Sequence, residues 1–450
     1  MAGEWKETSL AAVMDVKHGF AFPGENIRDE PPGDILLTPG NFAIGGGFKG
    51  DKFKYFDGEV PEDYVLKEGE LVLTMTDLSK QADTLGYPAI VPKPRGPRFL
   101  HNQRLGKVLI KRGAELDRGF LFYLLRTAEY RNEVLASATG TTVKHTSPGR
   151  ILAHKASIPP LAEQKAIAAV LGALDDKIEL NRRMNATLEA MARALFQSWF
   201  VDFDPVRAKL DGRPPAALGP ATAALFPDSF VETALGHVPL GWEVCALSEK
   251  IQLLSGGTPK TSEPTYWDGD IPWYSVRDAP SETDVWVIHT DKRVTKLGIA
   301  NSAAQIFPEK TTIISARGTV GKLALTAVPM AMNQSCYGVR GITGYGDYFT
   351  YYSLREATAQ LQQRTHGTVF DTITTETFKT LDCIFPTPKI TAAFDKLVEP
   401  LLGQIRANLH QSRTLATLRD TLLPKLLSGE LSVAATDNES LSVQKTSKGG

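Results

Sequence analysis

The feature that most constrains this fold is an internal repeat in which each copy ends in a long amphipathic helix. Residues 140–200 align with residues 367–427 at a constant offset of 227, without a gap over 61 positions. Both copies begin at Gly-Thr (Gly140-Thr141, Gly367-Thr368) and pass an apolar residue plus Pro (Ile158-Pro159, Phe385-Pro386) before the helical stretch. Within it Leu174, Ile178, Asn181, Thr187, Leu188 and Leu195 fall on the identical Leu401, Ile405, Asn408, Thr414, Leu415 and Leu422. Such self-similarity is read before any local propensity because it sets the architecture.

The helical stretches have heptad character. Ile167, Leu174, Asn181, Leu188 and Leu195 take a-type positions in the first, with Val170, Met184 and Met191 at d. Phe394, Leu401, Asn408, Leu415 and Leu422 repeat the a row in the second, with Leu397 and Leu418 at d. One Asn in an apolar row specifies register and partner at some cost in stability. Asn181 and Asn408 are therefore the expected register residues.

Upstream the repeat continues more weakly. Trp5 and Gly19 correspond to Trp242 and Gly256 at an offset of 237, Asn102-Gln103 to Asn333-Gln334 at 231, and the segment 122–126 to 351–355 at 229. The falling offset gives the first copy about ten extra residues in its globular part. The expected order is globular part, helix, globular part, helix. Strands are expected at 34–37, 70–74 and 311–315, and helices at 118–134 and 347–363. The Pro-, Gly- and Ala-rich stretch 204–240 reads as a connector, and the polar segment from Ser432 as a disordered tail.

With 42% apolar and 22% charged residues the 450-residue chain has ordinary globular composition. No apolar stretch reaches the length of a membrane span, and the N-terminal residues lack the pattern of a signal peptide, so a cytoplasmic location is expected. Cys245, Cys336 and Cys383 are isolated and suggest structural thiols, not a disulfide or zinc framework. The net charge of −1 conceals a strong asymmetry. Residues 1–79 carry 7 basic and 15 acidic side chains, whereas residues 80–158 carry 14 and 5. In the second half Lys292, Arg293, Lys296, Lys310, Arg317 and Lys322 face only Glu309 within residues 292–322. A basic face suits a polyanion, although solvated charge runs give the same pattern.

Motifs for chemistry are missing. Gly318-Thr319-Val320-Gly321-Lys322 approaches a phosphate loop, but Ala316 and Leu323 stand where its first Gly and its Ser/Thr belong. The turn can still offer Arg317 and Lys322 to phosphate or a base edge. No methyltransferase Asn-Pro-Pro-Tyr motif, zincin helix or nucleophile elbow is present, and the eight histidines show no ligand spacing. Asp175-Asp176 reads as part of a solvated helix face.

Four segments resemble the specificity subunit of type I restriction-modification systems. They are 158–167 (IPPLAEQKAI), 195–203 (LFQSWFVDF), 235–244 (LGHVPLGWEV) and 422–431 (LLPKLLSGEL), joined by Gly256-Gly257-Thr258-Pro259-Lys260 and Ile271-Pro272-Trp273. The first half matches less closely, having Lys17-His18-Gly19-Phe20 in place of the Gly-Gly-Thr-Pro turn. The resemblance implies an α+β fold: two mixed α/β target recognition domains separated by two long antiparallel helices that form a coiled coil, with a pseudo-two-fold internal repeat. The expected division is a first recognition domain (1–158), a first spacer helix (159–203), the connector (204–240), a second recognition domain (241–388), a second spacer helix (389–431) and the tail (432–450). A helix from Ala162 to Trp199 would be about 57 Å long at roughly 1.5 Å per residue, against the roughly 34 Å recurrence of half-sites on one face of a duplex.

The resemblance further implies a non-catalytic chain that reads a split site in double-stranded DNA. Its partners would be two methyltransferase subunits and restriction/translocase subunits. S-adenosylmethionine, ATP and magnesium would belong to those partners, with no cofactor or metal on this chain. Candidate DNA contacts are Lys17, His18, Thr76, Asn102, Gln103, Arg104, Lys144 and His145 in the first domain. Those in the second are Lys260, Thr261, Arg277, Arg317, Lys322, Asn333 and Gln334. Phe196, Trp199, Phe200, Leu423 and Leu426 are candidates for docking the methyltransferase, or equally for capping the helices against the globular parts. A free-standing two-domain DNA-binding protein would share the basic faces, and a coiled-coil scaffold would show no salt-dependent duplex binding.

Overall fold

A computed structural model describes residues 5–79, 81–94, 96–364 and 372–433, without the side chains of residues 362–364. The Gly367-Thr368 landmark and nearly all of the expected tail lie outside these residues. The chain forms two compact units, Met1–Asp176 with Leu415–Gly450, and Lys177–Thr414. Two long helices, Leu161–Phe196 and Pro388–Leu427, each contribute to both.

In the first unit a four-stranded antiparallel sheet has the order Met14–His18, Leu105–Ile110, Leu71–Thr74, Pro88–Ile90. Beside it lies a five-stranded sheet whose middle strands are Asp34–Leu37 and Phe99–His101. Strand Leu71–Thr74 is buried throughout. An apolar run without alternation is what a strand covered on both faces requires.

The second unit repeats this plan. Ile251–Ser255, Cys336–Gly341, Thr312–Ser315 and Leu323–Thr326 lie side by side, with Trp286–Val287 added at the edge. Each globular part is closed by pairing its first and last strands, Lys6–Ser9 with Lys155–Ile158 and Glu243–Ala246 with Asp382–Phe385. The chain enters a long helix directly after each closing strand.

The expected helix over 118–134 is two helices, Arg118–Leu124 and Ala128–Ala136. Thr127 causes the break by capping the second, its hydroxyl accepting from the Tyr130 amide at 3.4 Å. The expected helix over 347–363 forms as Asp347–Arg364. The connector is not a loose tether. It holds helix Asp204–Leu210 and a hairpin of Phe230–Thr233 with Gly236–Pro239, and its Val206, Phe226 and Val238 are buried.

The heptad seam is correct in one row and misassigned in the other. Leu171, Asn185, Ala192 and Trp199 are buried, whereas Met191 is 49% exposed and Val170 and Met184 are half-buried. On the second helix Val398, Ile405 and Leu426 are buried, whereas Leu397 and Leu418 are 43% and 44% exposed. A 3.5-residue repeat allows a second row either three or four positions after the first. Here it lies four after, and the identical Ile178 and Ile405 already stood on it.

The helices run antiparallel. In the second unit the Asn181 amide donates to Gln411 Oε1 (2.9 Å) and Ser412 Oγ (3.1 Å), while Asn408 donates to Asn185 Oδ1 (2.9 Å). Asn181 and Asn408 are 0% and 4% exposed, so a register slip would strand buried amides without partners. In the first unit Ile167 and Leu171 share a core with Leu426 and Leu427.

Candidate nucleic-acid interface

Each globular part builds the same polar turn from segments far apart in sequence. In the first, Gly19 packs so tightly that a Cβ would sit 1.9 Å from the Asn102 carbonyl oxygen; in the second, a Cβ on Gly256 would sit 2.0 Å from that of Asn333. Asn102 Oδ1 accepts from the Arg104 amide (2.9 Å), and Asn333 Oδ1 accepts from the Ser335 amide (3.1 Å). Arg104 O then receives the Met75 amide (2.9 Å), as Ser335 O receives that of Ala316 (2.8 Å). Finally Met75 O receives the Thr146 amide (3.0 Å) and Ala316 O that of Ile373 (2.9 Å). Gly19, Asn102, Met75 and Thr146 thus correspond one to one with Gly256, Asn333, Ala316 and Ile373. Two matched Asx turns and two matched backbone bridges define one frame.

The frame gathers most of the sequence candidates. In the first unit His18, Thr76, Asn102, Gln103, Arg104, Lys144 and His145 lie on its four segments, with Thr76 paired to His145 across the short ladder. Thr76 is 7% exposed and its hydroxyl meets His145 Nδ1 at 3.1 Å, while Gln103, Arg104, His18 and His145 are exposed. Lys17 is held aside, its Nζ donating to the Asp63 carbonyl (3.1 Å) 4.4 Å above the Tyr64 ring.

In the second unit the turn carries Asn333, Gln334 and Arg317, with Lys260 and Thr261 on the loop that follows Gly256. The Thr258 hydroxyl bonds Gln334 Oε1, and the Lys260 carbonyl accepts from Trp267 Nε1 (3.2 Å). Ser315 Oγ braces the 316–321 turn by accepting from the Lys322 amide (2.8 Å) and donating to the Thr319 carbonyl (2.5 Å). Arg317 occupies the position of Thr76, because it bridges to Thr372 as Thr76 pairs with His145. It is exposed and makes no hydrogen bond or ion pair among the described residues. Arg277 lies apart from this cluster, lining a cleft of ≈ 340 Å³ with Asp284, Trp286, His289, Leu409 and Arg413.

Buried groups stiffen the first turn. Burial of Asp77 would raise its carboxyl, but bonds from the Thr84 hydroxyl (2.7 Å), the Ser79 amide (2.6 Å) and the Thr84 amide (2.5 Å) outweigh that and hold it below the ordinary carboxylate range. The caged loop displays Leu78, 62% exposed, beside Thr76. His101, just before Asn102, is driven to about 4 by burial and is neutral, its Nε2 3.0 Å from the Leu105 carbonyl. Sequence reading did not single out Asp77, Leu78 or His101; the short spacing from Asp77 to Ser79 was the available sign of an Asx turn.

Of the two roles expected for the helix ends, the packing matches the second, capping the helices against the globular parts. Phe196, Trp199 and Phe200 are 6%, 2% and 7% exposed and pack on Phe226, Phe349 and Phe394. Leu426 is 1% exposed, and Leu423 packs against the same core. Phe196, Trp199, Phe200 and Leu426 seat the helices on the globular parts, whereas Leu423 is half-buried. Asp175 is misread as solvated. It accepts from Tyr123 (2.8 Å), Arg126 (3.0 Å) and Arg419 (2.5 Å). Burial would raise its carboxyl, but the two guanidiniums hold it low. Glu243, Cys245 and Glu249 lie within 4.8 Å of one another, but Glu243 is paired to Lys250 (2.7 Å) and Glu249 accepts from the Ala246 amide (3.2 Å).

The architecture defines a class, a duplicated α+β chain whose two modules frame the same polar turn with different displayed side chains and share an antiparallel helix pair. The sequence pattern described as type I restriction modification DNA specificity domain matches residues 2–190 and 239–409, and the chain belongs to this family. It is 30% identical over 356 residues to the HindI specificity subunit of Haemophilus influenzae, covering 69% of this chain and 77% of that one. The MjaIX specificity subunit of Methanocaldococcus jannaschii is 26% identical over 456 residues, covering 96% and 97%. In fold the chain resembles the crystal structure of the type I S subunit from M. genitalium, with a TM-score of 0.55 at 17% identity over 94% of this chain and 96% of that one. No described helix is long and apolar enough to cross a membrane.

Proposed function

We propose that the chain is the DNA-reading subunit of a type I restriction-modification assembly and reads a bipartite duplex site, one half with each recognition domain. The observation that carries this reading is the shared frame with its unlike display. Thr76, Leu78, Gln103, Arg104 and His145 surround the first turn, while Arg317, Gln334, Lys260 and Thr261 surround the second. Such a frame holds polar tips in fixed positions, which direct readout of base edges demands. Arg317 has the length and planar fork to pair with guanine N7 and O6, Gln103 and Gln334 suit adenine, and Leu78 can meet a thymine methyl. Lysines such as Lys144, Lys260 and Lys322 supply phosphate contacts, which position without specifying.

The role is recognition without chemistry. Methyl transfer and cleavage, with their S-adenosylmethionine, ATP and magnesium, are assigned to methyltransferase and restriction/translocase subunits bound to this chain. Methylation of duplex adenine requires a flipped base, and the reader fixes where that flipping occurs. The test is a mobility-shift titration at several salt concentrations with duplexes carrying the site methylated in vivo. Specific, salt-dependent binding lost on scrambling either half supports the reading, and equal affinity for unrelated duplexes sinks it.

A further inference from the structure

Arginines at corresponding positions of the repeat, Arg126 and Arg355, each tie a recognition domain to a carboxylate of the first long helix, half-buried Asp175 in one copy and buried Glu189 in the other. Arg126, with a side chain only 7% exposed, donates from Nε to the Gly45 carbonyl (2.6 Å) and from a terminal nitrogen to Asp175 (3.0 Å). Asp175 also takes Tyr123 and, from the second long helix, Arg419. Arg355 donates to Glu189 at 2.6 Å, the Glu189 side chain being 3% exposed, and lies 3.6 Å from Glu282. Gly45 and Glu282 sit in corresponding loops, each following a 3₁₀ turn closed by an N-terminal cap. In one the Thr38 amide donates to Asn41 (2.9 Å), in the other the Ser275 amide donates to Asp278 (2.7 Å).

The repeat supplies both arginines but not their partners. At the 227-residue offset Asp175 corresponds to Leu402 and Glu189 to Ala416, so neither carboxylate has a counterpart on the second helix. Instead the first helix carries both, two heptads apart and therefore at the same heptad position. A buried ion pair is a poor device for stability, because desolvation offsets its attraction, but its geometric demands are strict. A guanidinium held by a loop carbonyl or carboxylate on one side and a helix carboxylate on the other tolerates little rotation. The same domain-to-helix tie occurs in both copies with non-equivalent partners, which points to control of pose.

We propose that Arg126 and Arg355 are positioning residues that hold each recognition domain at a set angle on its stretch of the helix pair, making DNA binding selective for the separation of the two half-sites. This rests on the bipartite reading above. The experiment uses the full chain with its modification partner and duplexes carrying both half-sites at the natural separation or with one base pair added or removed. The near-isosteric variants are Asp175→Asn and Glu189→Gln, each beside Arg126→Lys and Arg355→Lys.

The unmodified chain is expected to prefer the natural separation strongly. Each carboxamide variant is expected to lower that preference by about tenfold or more, while sequence preference within each half is retained, and the lysine variants should fall between. A variant that merely folds less well weakens all three duplexes equally and leaves the ratio unchanged. That unchanged ratio overturns the proposal. Failure of the unmodified chain to bind any bipartite duplex would count against the underlying reading instead.

Discussion

The two recognition domains differ least where sequence comparison is weakest and most where function would require it. Their backbones converge on one frame, with Gly19 and Gly256 pressed against the carbonyls of Asn102 and Asn333. Yet the frame presents a buried Thr76 in one copy and an exposed Arg317 in the other. Their supports diverge as well. The amide of Phe120 is capped by Asp117 of its own domain (2.9 Å), whereas the corresponding Phe349 is capped by Asp395 of the second long helix (2.7 Å). A duplicated fold can therefore keep its scaffold while exchanging both the displayed side chain and the residues that brace it.

Breaking the frame should have the largest effect. A Cβ at Gly19 or Gly256 collides with main chain that cannot swing away. Gly19→Ala and Gly256→Ala are each expected to cost about 3 kcal/mol, read as lost binding to a duplex intact only in the affected half-site. An equal loss at both halves would break the claim that each domain reads alone. Next is Arg317→Ala, expected to relax one base pair of the second half-site by about 2 kcal/mol. Thr76→Ala, already buried against His145, should relax the first by less.

The bracing difference makes a pH prediction. Burial raises the Asp395 carboxyl to about 6, despite its bonds from the Phe349 and Tyr348 amides. A carboxyl raised on folding contributes stability that is present below its unfolded value and lost as pH climbs through the folded one. Unfolding free energy of the second unit should therefore fall between about pH 4 and 6, by up to about 3 kcal/mol. Asp395→Asn should flatten that slope, seen in denaturant titrations. The smallest effect belongs to Leu418→Ala, outside the seam and 44% exposed, expected to change stability by no more than about 0.5 kcal/mol.

Periodicity and the repeat made the long helices, the register asparagines and the two-copy order legible, because these depend on local spacing. Two things were hidden for one physical reason. Whether the second seam row lies three or four residues after the first depends on where the partner helix sits, and nothing in one helix states it. The same holds for the helix ends: Phe196, Trp199 and Phe200 look like an exposed apolar patch until Phe226 of the connector and Phe394 of the other helix cover them. In the recognition turns, sequence supplied candidates such as Asn102, Arg104 and Asn333. It could not show that Asp77 is caged, that Lys17 is held by Asp63, or that Arg277 belongs to a separate cleft, since those contacts join distant segments.

Two unlike displays on one frame are proposed to read the two halves of one site. Methylation-aware sequencing of DNA from cells carrying this chain and its modification partner tests it most directly, repeated after residues 1–158 are exchanged for those of another family member. The expected result is a bipartite methylated motif in which the exchange changes one half and leaves the other intact. A contiguous motif, or one that changes in both halves, would contradict it.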